Sequence, residues 1–180
     1  TASPKLYTRG MLELVPPKQR QKAGSLLQTL GTSLKKWLKG QLFAMLIVFI
    51  LTAIGLVIIG VPMWLSLAII AGILNFIPNF GPLIAMVPAA LVALLEGPVT
   101  AGLVIGLYTL VQVVESNFIT PKIQQKLVDI PPALTIIAQL LMGVLIGGWG
   151  LLLATPLMLI IMVVVQQTYI KHINREQANQ

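Results

Sequence analysis

The stretch Leu42-Phe43-Ala44-Met45-Leu46-Ile47-Val48-Phe49-Ile50-Leu51-Thr52-Ala53-Ile54-Gly55-Leu56-Val57-Ile58-Ile59-Gly60-Val61 decides the fold. It carries one polar side chain, Thr52. At a helical rise of 1.5 Å per residue, about 20 such residues match the roughly 30 Å hydrocarbon core of a bilayer. The rest of the chain has the same character. Of its 180 residues 57% are hydrophobic and 9% charged, with a mean hydropathy of +0.92, whereas a soluble domain carries about 25% charged residues. The expected fold class is all-α: a polytopic transmembrane helical bundle.

Further apolar segments follow at about Met63 to Phe76, Leu83 to Leu95, Val99 to Phe118, Pro131 to Ile146 and Leu151 to Ile170, giving about 4–6 membrane segments in all. The second and third are shorter than the roughly 17 residues that a perpendicular crossing requires, so they are either two tilted crossings or a re-entrant hairpin. Two faults interrupt the pattern: Asn75-Phe76-Ile77-Pro78-Asn79-Phe80-Gly81-Pro82 and Asn117-Phe118-Ile119-Thr120-Pro121. Helices that only anchor a protein have no need of such breaks. Each backbone group left unpaired in lipid costs several kcal/mol, so irregular backbone survives where protein buries it or where it lines a wet cavity. Pro78, Gly81, Pro82, Pro121 and Pro156 are the expected hinges or helix breaks, and the breaks point to a transport path.

The net charge is +7. Eight of the twelve Lys and Arg precede the first span, Lys122 and Lys126 share one loop, and Lys171 and Arg175 follow the last span. Basic segments stay cytoplasmic during insertion. Parity then puts every cation, and the C-terminus, on the cytoplasmic side, with Trp64 and Trp149 at the outer interface and Trp37 and Tyr169 at the inner one. Residues 1–40 read as a cytoplasmic basic segment ending in an amphipathic helix, Lys22 to Lys39, along the membrane surface. Residues 41–170 read as the transmembrane bundle and 171–180 as a cytoplasmic tail. A bilayer partner explains the positive balance, and no nucleic-acid partner is expected. Small residues four apart, Ala68 with Gly72, Ala85 with Ala89 and Ala93, Gly102 with Gly106, and Gly143 with Gly147, mark helix contacts within or between subunits.

The titratable inventory excludes ordinary enzymology. There is one His, His172, and no Cys, and the acids are Glu13, Glu96, Glu115, Asp129 and Glu176. No metal site, nucleophile triad or cofactor is expected. Glu115 stands out, near the end of an apolar span, with Gln112 one turn before it and Asn117 just after. A carboxylate at bilayer centre costs at least ~2.5 kcal/mol, and less toward the interface, so it faces a cavity or a partner. Its role is either ion coupling or solute binding, or a pairing with Lys122 or Lys126 that fixes the helix end. Asn75 and Asn79 either ligate a polar solute or cap freed backbone groups. The candidate path is therefore Glu115, Asn117, Gln112, Asn75 and Asn79.

Five pieces in order, Trp37-Leu38-Lys39-Gly40-Gln41, Gly60-Val61-Pro62, Phe76 to Pro82, Glu115-Ser116-Asn117 with Thr120-Pro121, and Leu153-Ala154-Thr155-Pro156-Leu157, resemble the successive signatures of the autoinducer-2 exporter family of bacterial permeases. The resemblance covers nearly the whole chain. Members of that family are about twice this length, so the chain looks like the C-terminal half. The resemblance implies a homo-oligomeric permease of the bacterial inner membrane that exports a small polar molecule such as autoinducer-2. Other members are associated with sodium or other cation/proton antiport, so a proton or sodium is a further expected partner. The chain departs from the family in reading Ile77-Pro78-Asn79-Phe80-Gly81-Pro82 for Ile-Pro-Tyr-Ile-Gly-Pro, and Ile130-Pro131-Pro132 for Leu-His-Pro, which removes a protonatable residue. A membrane scaffold that moves nothing is the contrasting expectation from another class.

Overall fold

The computed structural model describes residues 20–124 and 132–166. Among these, all the regular structure is helical. Seven α-helices run in order: α1 (Arg20–Ile59), α2 (Trp64–Leu74), α3 (Phe80–Glu96), α4 (Pro98–Val114), α5 (Thr120–Gln124), α6 (Pro132–Ile146) and α7 (Gly148–Val165), with a π-helical turn, Glu115–Ile119, joining α4 to α5. Three stretches are long and apolar enough to cross a membrane: Ala23–Ile59, Pro98–Lys122 and Gly148–Val165. The shorter apolar helices are α2, α3 and Ala133–Ile146. This is the expected all-α membrane bundle.

The segment expected along the membrane surface is helical, and it is not separate from the first span. Both belong to α1, whose 40 residues extend about 60 Å, twice the hydrocarbon thickness. The sequence between them, Lys39-Gly40-Gln41-Leu42, contains no Pro to break the ladder, and one Gly in a helix costs only about 1 kcal/mol. Trp37 is also not a free interfacial anchor. It is buried, edge-on to Phe76 with ring centroids 5.7 Å apart.

Packing fixes the direction of each helix. Gly72 lies against Met45 and Phe49, and Asn75 meets Gln41, so α2 runs antiparallel to α1. Gly55 lies against Leu107, while Phe43 and Ile47 share a cavity with Phe118 and Ile119, so α4 and the π-turn also run antiparallel to α1. The two sequence-predicted faults therefore stand at one depth, along residues 37–47 of α1, at the end that carries Lys35, Lys36, Lys39 and Lys122. The α2–α3 hairpin descends to that basic end and returns.

One cluster forms the core: Val48, Leu56 and Val61 of α1 and its turn, Leu67 and Ala71 of α2, Ala85, Ala89 and Ala93 of α3, and Ala101, Val104, Tyr108 and Val111 of α4. The alanine stripe of α3 and the Ala68–Gly72 pair are therefore contacts inside this chain. Gly102 and Gly106 are exposed, and a Cβ at either would meet no described residue within 4 Å. The α6–α7 pair closes on itself at Gly147, with Gly143 against Leu151 and Gly150 against the Met142 carbonyl. Helix α7 continues through Pro156 without ending.

Candidate functional site

The first fault is a true interruption. Helix α2 stops at Leu74, and α3 begins only at Phe80. Pro78 and then Pro82 withhold backbone donors, and Asn79 takes a positive φ of 69° that Asn tolerates better than most residues. The first turn of α3 presses back onto the last turn of α2, so that a Cβ on Gly81 would run into the Leu74 carbonyl. Only glycine fits there, and this close approach makes the reversal tight. Pro82 falls in the first turn of α3, where its missing N–H costs nothing.

The carbonyls freed by the reversal are not left bare. Gln41 Nε2 donates to the Asn75 carbonyl at 2.7 Å, and Gln139 Nε2 of α6 donates to the Pro78 carbonyl at 2.9 Å. Asn79 Nδ2 reaches Gln139 Oε1 at 3.5 Å, the long limit of a hydrogen bond. Gln139 is 0% exposed and Asn75 2% exposed. Thr155 of α7 is buried as well. Three of the five buried polar residues among those described thus gather at the hairpin tip: Gln41, Asn75 and Gln139. Asn75 Nδ2 and Thr155 Oγ1 have no hydrogen-bond partner among the described residues. Neither Asn75 nor Asn79 caps a helix through its side chain.

The second fault is not a break. The chain stays helical from Pro98 to Gln124, and the ladder widens to a π-turn over Glu115–Ile119. Pro121 supplies the cause: it has no N–H for the Asn117 carbonyl, and its ring would crowd that carbonyl in an α-helix. The Thr120 N–H bonds instead to the Glu115 carbonyl, five residues back. That bulge lets the Thr120 hydroxyl donate to the Glu115 carboxylate at 2.7 Å. The expected alternative partner Lys122 lines a cavity of about 340 Å³ with Phe43, Ile47, Phe118 and Ile119. Lys126 lies outside the described residues.

The structure divides the predicted path into two groups. Asn75 and Asn79 meet at the hairpin tip, and Gln112 and Glu115 belong to the π-turn end of α4. Asn117 is exposed, and its Nδ2 donates to the Val113 carbonyl at 2.8 Å, a local helix contact. The hinge residues divide too: Pro78, Gly81 and Pro82 build the reversal, Pro121 builds the bulge, and Pro156 is carried inside α7. Gln139, and Gln41 as a site residue, were missed from sequence. The signal for Gln139 was available, since it is an amide in an otherwise apolar stretch, whereas Gln41 stands where the basic segment gives way to the first span. No group of three or more His, Cys, Asp and Glu able to hold a metal occurs among the described residues.

Fold and site together define a polytopic helical membrane protein in which buried amide side chains hold an interrupted hairpin. The chain belongs to the AI-2E transporter family, matching the family described as "AI-2E family transporter" over residues 1–170. It is 32% identical over 143 residues to "Putative transport protein YrrI" of Bacillus subtilis, covering 79% of this chain and 40% of that one. Over 129 residues it is 31% identical to "AI-2 transport protein TqsA" of Escherichia coli K12, covering 65% of this chain and 37% of that one. The matched stretch thus spans less than half the length of these relatives.

Proposed function

We propose that the chain is the part of an inner-membrane permease that forms its polar path, and that the whole protein exports a small polar molecule, autoinducer-2 or a related metabolite. The observation that carries this is the hairpin tip, where Gln41 and Gln139 hold two freed carbonyls while the Asn75 amide nitrogen is buried with no partner among the described residues. A scaffold has no use for a buried donor that bonds to nothing, and apolar residues would pack there at lower cost. Path residues in this reading are Glu115, Gln112, Asn75 and Asn79, with Asn117 supporting the π-turn. The relative named as an AI-2 transport protein supports the solute class. The relatives' names as transport proteins support a role without catalysis.

The basic end faces the cytoplasm in this reading, in keeping with the clustering of Lys35, Lys36, Lys39 and Lys122, and the C-terminus lies on the same side. Exposed Gly102 and Gly106 suit close helix contact between copies in a homo-oligomer. Proton- or sodium-coupled antiport is the second reading, favoured by Glu115, a carboxylate inside a candidate span.

The test is flux from proteoliposomes holding the intact protein, with autoinducer-2 and a panel of small polyols as solutes. Export of at least one solute, lowered by Glu115→Gln and by Asn75→Leu, is the expected result. Flux of no solute overturns the permease. Dye-reported proton movement on adding sodium, without solute flux, assigns antiport instead.

A further inference from the structure

Three polar side-chain atoms are buried on α1 and α4, helices that pack together at Gly55 and Leu107, and none of them belongs to the hairpin tip. Thr52 is 1% exposed and Tyr108 4% exposed. Thr52 Oγ1, Tyr108 OH and Gln112 Oε1 all lack a hydrogen-bond partner among the described residues. Thr52 lies on the α1 stripe between Val48 and Leu56, and Tyr108 on the α4 stripe between Val104 and Val111. Those four apolar neighbours belong to one core cluster, as does Tyr108 itself, so both hydroxyls enter the same core.

Helices offer threonine a local remedy that Thr52 does not take. Thr29, Thr32 and Thr109 each donate to the carbonyl four residues back, at 2.9, 2.6 and 2.8 Å. The Thr52 hydroxyl makes no such bond to Val48. A buried, unmatched polar group costs about 1–3 kcal/mol. Val and Phe would fill the volumes of Thr52 and Tyr108 without that cost, so these hydroxyls are not there for stability.

Their placement is ordered. Tyr108, Gln112 and Glu115 are spaced by four and then three residues, which puts them on one face of α4. The row starts at the Glu115–Thr120 pair, close to the cavity lined by Phe43, Ile47 and Phe118 at the basic end. It climbs about 10 Å along α4 toward the middle of the bundle. Hydroxyls donate and accept, and the Gln112 amide oxygen accepts, so the row suits uncharged groups that do both.

We propose that the α1–α4 seam is the membrane-crossing leg of the path, with Thr52, Tyr108 and Gln112 as residues that receive water and the hydrogen-bonding groups of an uncharged solute on its way past Glu115. This rests on the transport function proposed above and adds residues and a route to it.

The first test is cysteine accessibility. The chain has no cysteine, so Thr52→Cys and Gln112→Cys introduce the thiols of this region into intact protein in proteoliposomes. Reaction with 2-aminoethyl methanethiosulfonate requires a hydrated thiolate. Labelling at least about tenfold faster than at Leu56→Cys and Val104→Cys, in the same core, is expected if water reaches the seam and shifts the thiol toward thiolate. Equal rates overturn it. The second test avoids new thiols: Thr52→Val and Tyr108→Phe keep shape and remove a hydroxyl. Autoinducer-2 flux lowered about fivefold, with an unchanged or raised melting temperature, supports the seam. A raised melting temperature with unchanged flux overturns it. Transport itself fails if wild-type protein moves no solute in the panel, and the labelling ratio then still decides whether the seam is wet. If wild-type flux is present and falls with Glu115→Gln but not with Thr52→Val or Tyr108→Phe, only the seam is lost.

Discussion

Gln41 and Asn75, thirty-four residues apart, meet through a 2.7 Å hydrogen bond from the Gln41 side chain to the Asn75 carbonyl inside the bundle. The bond ties the longest helix to the point where the chain reverses. Gln41→Leu keeps the apolar bulk but orphans that carbonyl. A loss of about 1–3 kcal/mol is expected, read as a lower melting temperature in detergent or lipid nanodiscs. Gln41→Glu has no donor in its ionised form and should not rescue it.

Gln139 holds the same reversal from the other side, through the Pro78 carbonyl. Gln139→Leu should therefore destabilise by a similar amount. Because both amides restrain one short loop, the double variant should depart from additivity by more than about 0.5 kcal/mol. Strict additivity in a double-mutant cycle would show that the two bonds act on independent parts of the hairpin.

Gly81→Ala places a Cβ into the Leu74 carbonyl. That atom is backbone at the end of a packed helix and cannot rotate away, so the hairpin tip must spread. A loss of several kcal/mol, in the range reserved for backbone and packing failures, is expected. Gly102→Ala is the control: no described residue lies within 4 Å of its Cβ, and stability should stay within about 0.5 kcal/mol. Cross-linking of copies, compared between Gly102→Ala and Gly102→Leu, then reports on contact between subunits.

Thr120→Val removes the hydroxyl that serves the Glu115 carboxylate while keeping the side chain's shape. Solute flux should fall, and Thr120→Ser should restore it. If flux were unchanged in Thr120→Val, the 2.7 Å bond would be a helix-end fixture without a part in transport.

Much of the fold was legible because bilayer physics constrains it so strongly. The apolar run from Leu42 to Val61 demanded a spanning helix, and Pro78 beside Pro82 demanded an interruption. Two features were not legible. Pro121 looked like a second break, and the ladder absorbed it as a π-turn, an outcome decided by whether backbone carbonyls find donors five residues on. The surface helix and the first span proved to be one helix, because nothing between Lys39 and Leu42 forces a stop.

The site was legible in part for a related reason. Glu115, Asn75 and Pro78 stood out by type, whereas Gln139 mattered by partner. Its 61-residue separation from Pro78 cannot be read from spacing, and an amide in an apolar helix gives a weaker signal than a carboxylate. The same holds for Thr52 and Tyr108, whose burial without partners appears only once α1 and α4 are packed together.

Helix α1 exposes Lys35, Lys36 and Lys39 on the same turns that present Trp37 and Gln41 to the reversal at Phe76 and Asn75. No loop separates the two, so the basic half is a handle on the hairpin tip. Moving that half of α1 relative to the tip would therefore mean bending a continuous helix or parting the Trp37–Phe76 and Gln41–Asn75 contacts.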